Sequence, residues 1–93
     1  MFTYLISYDL AGPETRADYK QLIDYIKSNF ASWAKPHKSL WIVKSTQPIQ
    51  AIRDNLRQKV DANDKILILD VSKDNWASYN LSSDVAEWMQ NNL

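Results

Sequence analysis

The chain has 93 residues, with 11 basic and 11 acidic side chains, one Gly, three Pro, one His and no Cys. This length holds one domain, residues 1–93, with a small core, and 45% hydrophobic with 24% charged residues is the balance of a folded globular protein. Lack of Cys excludes a disulfide framework, thiolate zinc sites and a cysteine nucleophile; a single His excludes H-E-x-x-H, and a single Gly excludes the glycine-rich phosphate loops.

Residues 2–9 alternate: Phe2, Tyr4, Ile6 and Tyr8 share one face, while Thr3, Leu5, Ser7 and Asp9 share the other. This predicts a strand closed by an Ala11-Gly12-Pro13 turn. Thr15 is placed to cap a helix with Asp18 in its first turn. Tyr19, Leu22, Ile23, Ile26, Phe30 and Trp33 then recur at steps of three or four, the stripe of a helix about four turns long. A strand is predicted over 39–45, with Trp41, Ile42 and Val43 at its centre. A short partner over 33–37 would complete a hairpin, confined to a sheet edge by Pro36.

Thr46 reads as the N-cap of a second helix, with Pro48 in its first turn and Ile49, Ile52, Leu56 and Val60 on its inner side. Asp61-Ala62-Asn63-Asp64 stops it. Residues 65–71 form a strand apolar on both sides, which implies cover on both. Ser82 or Ser83 caps a last helix that carries Val85, Trp88, Met89 and Leu93.

The order β-α-β-β-α-β-α predicts an α+β fold: a ferredoxin-like βαββαβ sandwich with an added C-terminal helix. Two helices cover one sheet face. Leu5, Trp41 or Ile42, and the second side of 66–71 would lie on the other. An apolar sheet face left bare invites a partner, so a homodimer through that face or an edge strand is expected. Met1-Phe2-Thr3-Tyr4 carries no charged n-region. The longest aliphatic run, 66–69, is far short of the roughly 20 residues of a membrane span. No membrane segment and a cytoplasmic location are expected.

Ser7-Tyr8-Asp9 at the end of the first strand is the most suggestive group. A carboxylate there can hold a hard cation. Two copies related by a dyad could share one Mg²⁺, which polarises a phosphate and activates water. The alternative reading of Asp9 is a turn residue bonding nearby backbone N–H groups. Arg16 and Lys20, one turn apart, are placed to neutralise a phosphate near Asp9, or to pair with Glu14 and Asp24 on an exposed helix side. Lys35, His37, Lys38 and Lys44 interleave with Trp33 and Trp41, a pattern that suits phosphates and stacked bases. Its alternative is a solvated rim around two core tryptophans. Arg53 and Arg57, beside Asp54, read as helix surface.

The strand Tyr4-Leu5-Ile6-Ser7-Tyr8-Asp9-Leu10 with its following helix, and Ser39-Leu40-Trp41-Ile42-Val43, resemble the small CRISPR-associated endoribonuclease-like family. VapD-type toxin ribonucleases resemble this architecture too, and so do short SinR-like bacterial proteins, which are closest in length and in their Trp-rich ends. The resemblance implies a ferredoxin-like homodimer and a Mg²⁺-dependent endoribonuclease. Asp9 would then be the catalytic residue and metal ligand, with Tyr8 and Ser39 as site neighbours. Arg16, Lys20, Lys38 and Lys44 would contact RNA or DNA. Here the chain ends in a loop and helix, where that family ends in a strand crossing to its partner. The rival reading is a non-catalytic interaction or regulatory (antitoxin-like) module. It would bind another protein through the bare sheet face and the Trp76–Trp88 region. An RNA-binding sheet of the RRM type lacks its aromatic pattern here.

Overall fold

The computed structural model describes residues 1–10 and 16–93, with side chains of the first helix from Tyr19 onward. The expected Ala11-Gly12-Pro13 turn, the Thr15 cap and the Asp18 side chain lie outside this description. In chain order the elements are β1 (Phe2–Asp9), α1 (Arg16–Asn29), β2 (Ser32–His37), β3 (Leu40–Ser45), α2 (Ile49–Arg57), β4 (Lys65–Asp70) and α3 (Ser83–Asn92). The strands form one sheet in the order β2-β3-β1-β4, and every neighbouring pair is antiparallel. The class is α+β.

Period-two patterning sets the two sides of the sheet. Tyr4, Ile6 and Tyr8 of β1 point into the core, where Trp41 and Val43 of β3 join them. Leu22 and Ile26 of α1, with Ile52 and Leu56 of α2, close this core from above. The phenol of Tyr4 donates to the Gln47 carbonyl at 2.7 Å, so a buried hydroxyl is satisfied where the chain turns into α2.

Three boundaries differ from the sequence expectation. The stripe of α1 was expected to run through Trp33, but the helix ends at Asn29, whose side-chain amide donates to the Tyr25 carbonyl at 2.8 Å. Phe30 still faces the core, and Trp33 belongs to β2 opposite Val43. Its ring meets Trp41 edge-on at 5.2 Å between centroids. A strand pointing inward from the helix end continues the helical spacing, so periodicity alone does not mark the break. Thr46 does not cap α2. The N-cap is Pro48, extended at φ −67° and ψ 154°, with no side-chain bond, and Arg57 ends the helix before Val60. Val60 packs against the core from the following turn.

β4 is not covered on both sides. Ile66 and Ile68 pack against the core, while Leu67 and Leu69 are 56% and 46% exposed. The reason is where α3 lands. Of the two expected caps, Ser82 is the one that serves, accepting from the Val85 N–H at 3.4 Å. Trp88 Nε1 donates to Ser32 Oγ at 3.1 Å, and Met89 is buried. These contacts hold α3 against β2, at the far edge from β4. Of the alternatives Trp41 and Ile42, Ile42 lies on this second side of the sheet, in register with Leu5; Trp41 is in the core.

Burial, and for Tyr4 the Asp70 carboxylate as well, pushes the Tyr4 phenol above its usual 10.0. Burial pushes Tyr8 the same way, against the pull of its Trp41 hydrogen bond, with Tyr19 adding to the rise. An unfolded tyrosine ionises near pH 10, whereas these rings resist ionisation in the fold. Their contribution is therefore complete below about pH 10 and lost as pH climbs through the raised values. The urea midpoint is expected to fall above that pH. Tyr4→Phe should start lower, having lost the bond to Gln47, and fall less steeply; parallel curves would refute the assignment.

Candidate functional site

Asp9 is the last residue of β1 and is exposed. Alternation puts it on the second side of the sheet with Ser7 and Leu5. Its partner in register is Lys65 of β4. Tyr8 points the opposite way and works as a tie. Its hydroxyl accepts from Trp41 Nε1 at 3.2 Å and donates to the Lys38 carbonyl at 3.5 Å. Its N–H donates to the Ser39 carbonyl at 3.2 Å. The β2–β3 turn is thereby held against the end of β1. Asp9, Lys38, Ser39 and Lys65 accordingly share one end of the sheet.

Not every expected phosphate contact is brought there. Lys44 pairs in register with Thr3, six residues along β1 from Asp9, which is about 20 Å of strand. Lys20 forms an ion pair with Asp24 on exposed helix surface. The Arg16 side chain lies outside the described residues. The Trp41 ring is fully buried and cannot stack on a base. Lys35 and Lys27 lie over Trp41 and Trp33, each 5.4 Å from the ring. This is the reading of core tryptophans with a lysine rim. Arg53 pairs with Asp54 at 3.1 Å. Asp64 accepts from the Asp61 N–H at 2.7 Å in a turn before β4; the helix stop expected at 61–64 comes earlier, at Arg57.

A second candidate lies on the partly covered side of the sheet. A cleft of about 400 Å³ opens there, lined by Leu5, Ile42, Trp76, Met89 and Leu93, with His37 at one end. Tyr79 stands on its rim, 92% exposed, and Trp76 is 38% exposed. Sequence reading pointed to the Trp76–Trp88 region but not to this cavity. The available signal was two large aromatics inside an otherwise polar segment before α3.

Asp9 offers a hard oxygen ligand, and Lys65 is its backbone partner in register. In the shared-ion reading, a second copy's Asp9 supplies the other carboxylate. Among the described residues, no three His, Asp or Glu side chains group in a way that could hold a metal. No helix among them is long and apolar enough to cross a membrane. No family model matches the chain, and no solved structure matches it.

Proposed function

We propose that this chain is a cytoplasmic, non-catalytic interaction module built on a ferredoxin-like sheet. The strand order β2-β3-β1-β4, antiparallel throughout, supports the ferredoxin-like assignment. The functional reading is carried by the half-covered second side of the sheet. Leu67 and Leu69 stand exposed beside an apolar cleft rimmed by Trp76 and Tyr79. Apolar surface gathered in this way is the usual mark of a protein-binding site.

A second reading is favoured by the gathering of Asp9, Lys38 and Ser39 at one sheet end. In it the chain is a dimeric nuclease related to the CRISPR-associated and VapD-type families. The two Asp9 carboxylates would share Mg²⁺, with RNA or DNA as substrate. One assay separates the two. Purified protein is incubated with RNA and with DNA, in Mg²⁺ or in EDTA, beside Asp9→Asn. The interaction module leaves both nucleic acids intact under every condition. Mg²⁺-dependent cleavage that disappears in Asp9→Asn would overturn it in favour of the nuclease.

A further inference from the structure

The two edges of the sheet are built differently. β2 contains Pro36, its register with β3 shifts between Ala34 and His37, and α3 lies against it. Proline, irregular pairing and cover are the usual protections of an edge strand. α2 packs on β4, but this strand lacks the first two of these. It contains no proline, and its ladder with β1 is unbroken from Tyr4–Asp70 to Asp9–Lys65.

The free backbone groups of β4 can be assigned. Val71 N–H donates to the Thr3 carbonyl at 2.8 Å. Along an antiparallel ladder the direction alternates. Leu69, Leu67 and Lys65 therefore turn their N–H and C=O toward β1, and Ile66, Ile68 and Asp70 turn theirs outward. The outward row borders the two exposed leucines.

The geometry points to β4 as the surface on which a second copy of this chain docks, strand to strand and antiparallel, about a two-fold axis at Ile68. This rests on the interaction-module reading and names its partner. A second copy is the occupant because the strand is complementary to itself. Opposite residues in such a ladder lie on the same side of the sheet. The pairing must therefore match even-numbered outward residues with even-numbered ones. Two symmetric registers use most of the strand. Centring on Leu67 sets Asp64 opposite the second copy's Asp70, and does so twice; like charges directly opposed are unfavourable. Centring on Ile68 avoids this. It sets Leu67 against the second copy's Leu69, and Leu69 against its Leu67. Four leucines then form one strip on the second side of an eight-stranded sheet. Six residues of pairing per copy make a small interface, so association is expected at the weak end of specific complexes.

This arrangement is incompatible with the shared cation. Asp9 lies opposite Lys65, three residues along from Ile68 and one strand further from the axis. Strand spacing and rise put the two Asp9 Cα atoms about 25 Å apart.

The test is the mass in solution, by sedimentation, across a concentration series. The parent chain is expected to approach twice its one-chain mass. Leu67→Lys with Leu69→Lys places like charges opposite each other across the axis. It alters only exposed side chains, so it should give one-chain mass with the far-ultraviolet spectrum of the parent. Asp9→Asn and EDTA should leave the two-chain mass intact. The chain has no cysteine, so Lys65→Cys takes a single spin label. The two labelled positions should lie about 20 Å apart between Cα atoms. One-chain mass for the parent at every concentration overturns the proposal, as does two-chain mass for the double lysine variant. Dimerisation abolished by EDTA or Asp9→Asn overturns it too, and restores the shared-ion dyad.

Discussion

Trp41→Ala is expected to destabilise the fold by about 3–5 kcal/mol, the range for removing a buried tryptophan or phenylalanine. Domains of this size typically have only about 5–15 kcal/mol in total, so the variant should be partly or wholly unfolded at ambient temperature. Three losses coincide. The ring is fully buried at the centre of the sheet. Its edge-on contact with Trp33 at 5.2 Å disappears. Its indole N–H no longer donates to Tyr8, which leaves that half-enclosed hydroxyl with the long 3.5 Å bond to Lys38 alone. Trp41→Phe separates packing from hydrogen bonding, because it keeps most of the ring volume. Its urea midpoint should fall between those of the parent and Trp41→Ala. A midpoint for Trp41→Ala within experimental error of the parent would contradict the core assignment.

Met89→Asp should release α3 without unfolding the rest. Met89 is the buried residue of that helix, and an unpaired carboxylate cannot be accommodated in the apolar cleft it lines. The helix must therefore leave, which uncovers Ile42 and Leu5 and frees the Trp88–Ser32 bond. The core between the sheet and α1 and α2 does not include Met89. The expected result is a large rise in binding of a hydrophobic dye, and rapid proteolysis within 71–93. The near-ultraviolet signal of the Trp33–Trp41 pair should be retained. Unchanged protease resistance would show that α3 is held by something other than Met89.

The two-sided character of β1 was plain in the sequence because strict alternation over eight residues has one structural meaning. The hairpin partner around Pro36 was also readable, since proline fits an edge and little else in a sheet. The end of α1 was not, because Phe30 and Trp33 keep helical spacing while obeying a different geometry. Nor was the Pro48 cap of α2, where a better capping residue, Thr46, stands two positions earlier. For the site, Asp9 was found from its place at a strand end. The lysine facing it was not, because Lys65 is 56 positions away and only the sheet register brings the two together. The same holds for Lys44, near Asp9 by charge pattern and distant by register. The uneven cover of the sheet was hidden for a related reason. A pattern apolar on both sides says that Leu67 and Leu69 need shelter, not whether α3 reaches them.

The central position of β1 has a kinetic consequence. Its two ladders join residues as far apart as Tyr4 and Asp70, whereas the β2–β3 hairpin closes locally. Closing long loops costs chain entropy before any contact repays it. The hairpin and the helices should thus assemble early, with the zipping of β4 onto β1 among the last events. Until that step, the isoleucine- and leucine-rich segment 66–69 is unsheltered, and folding at high protein concentration is when this chain is most exposed to aggregation.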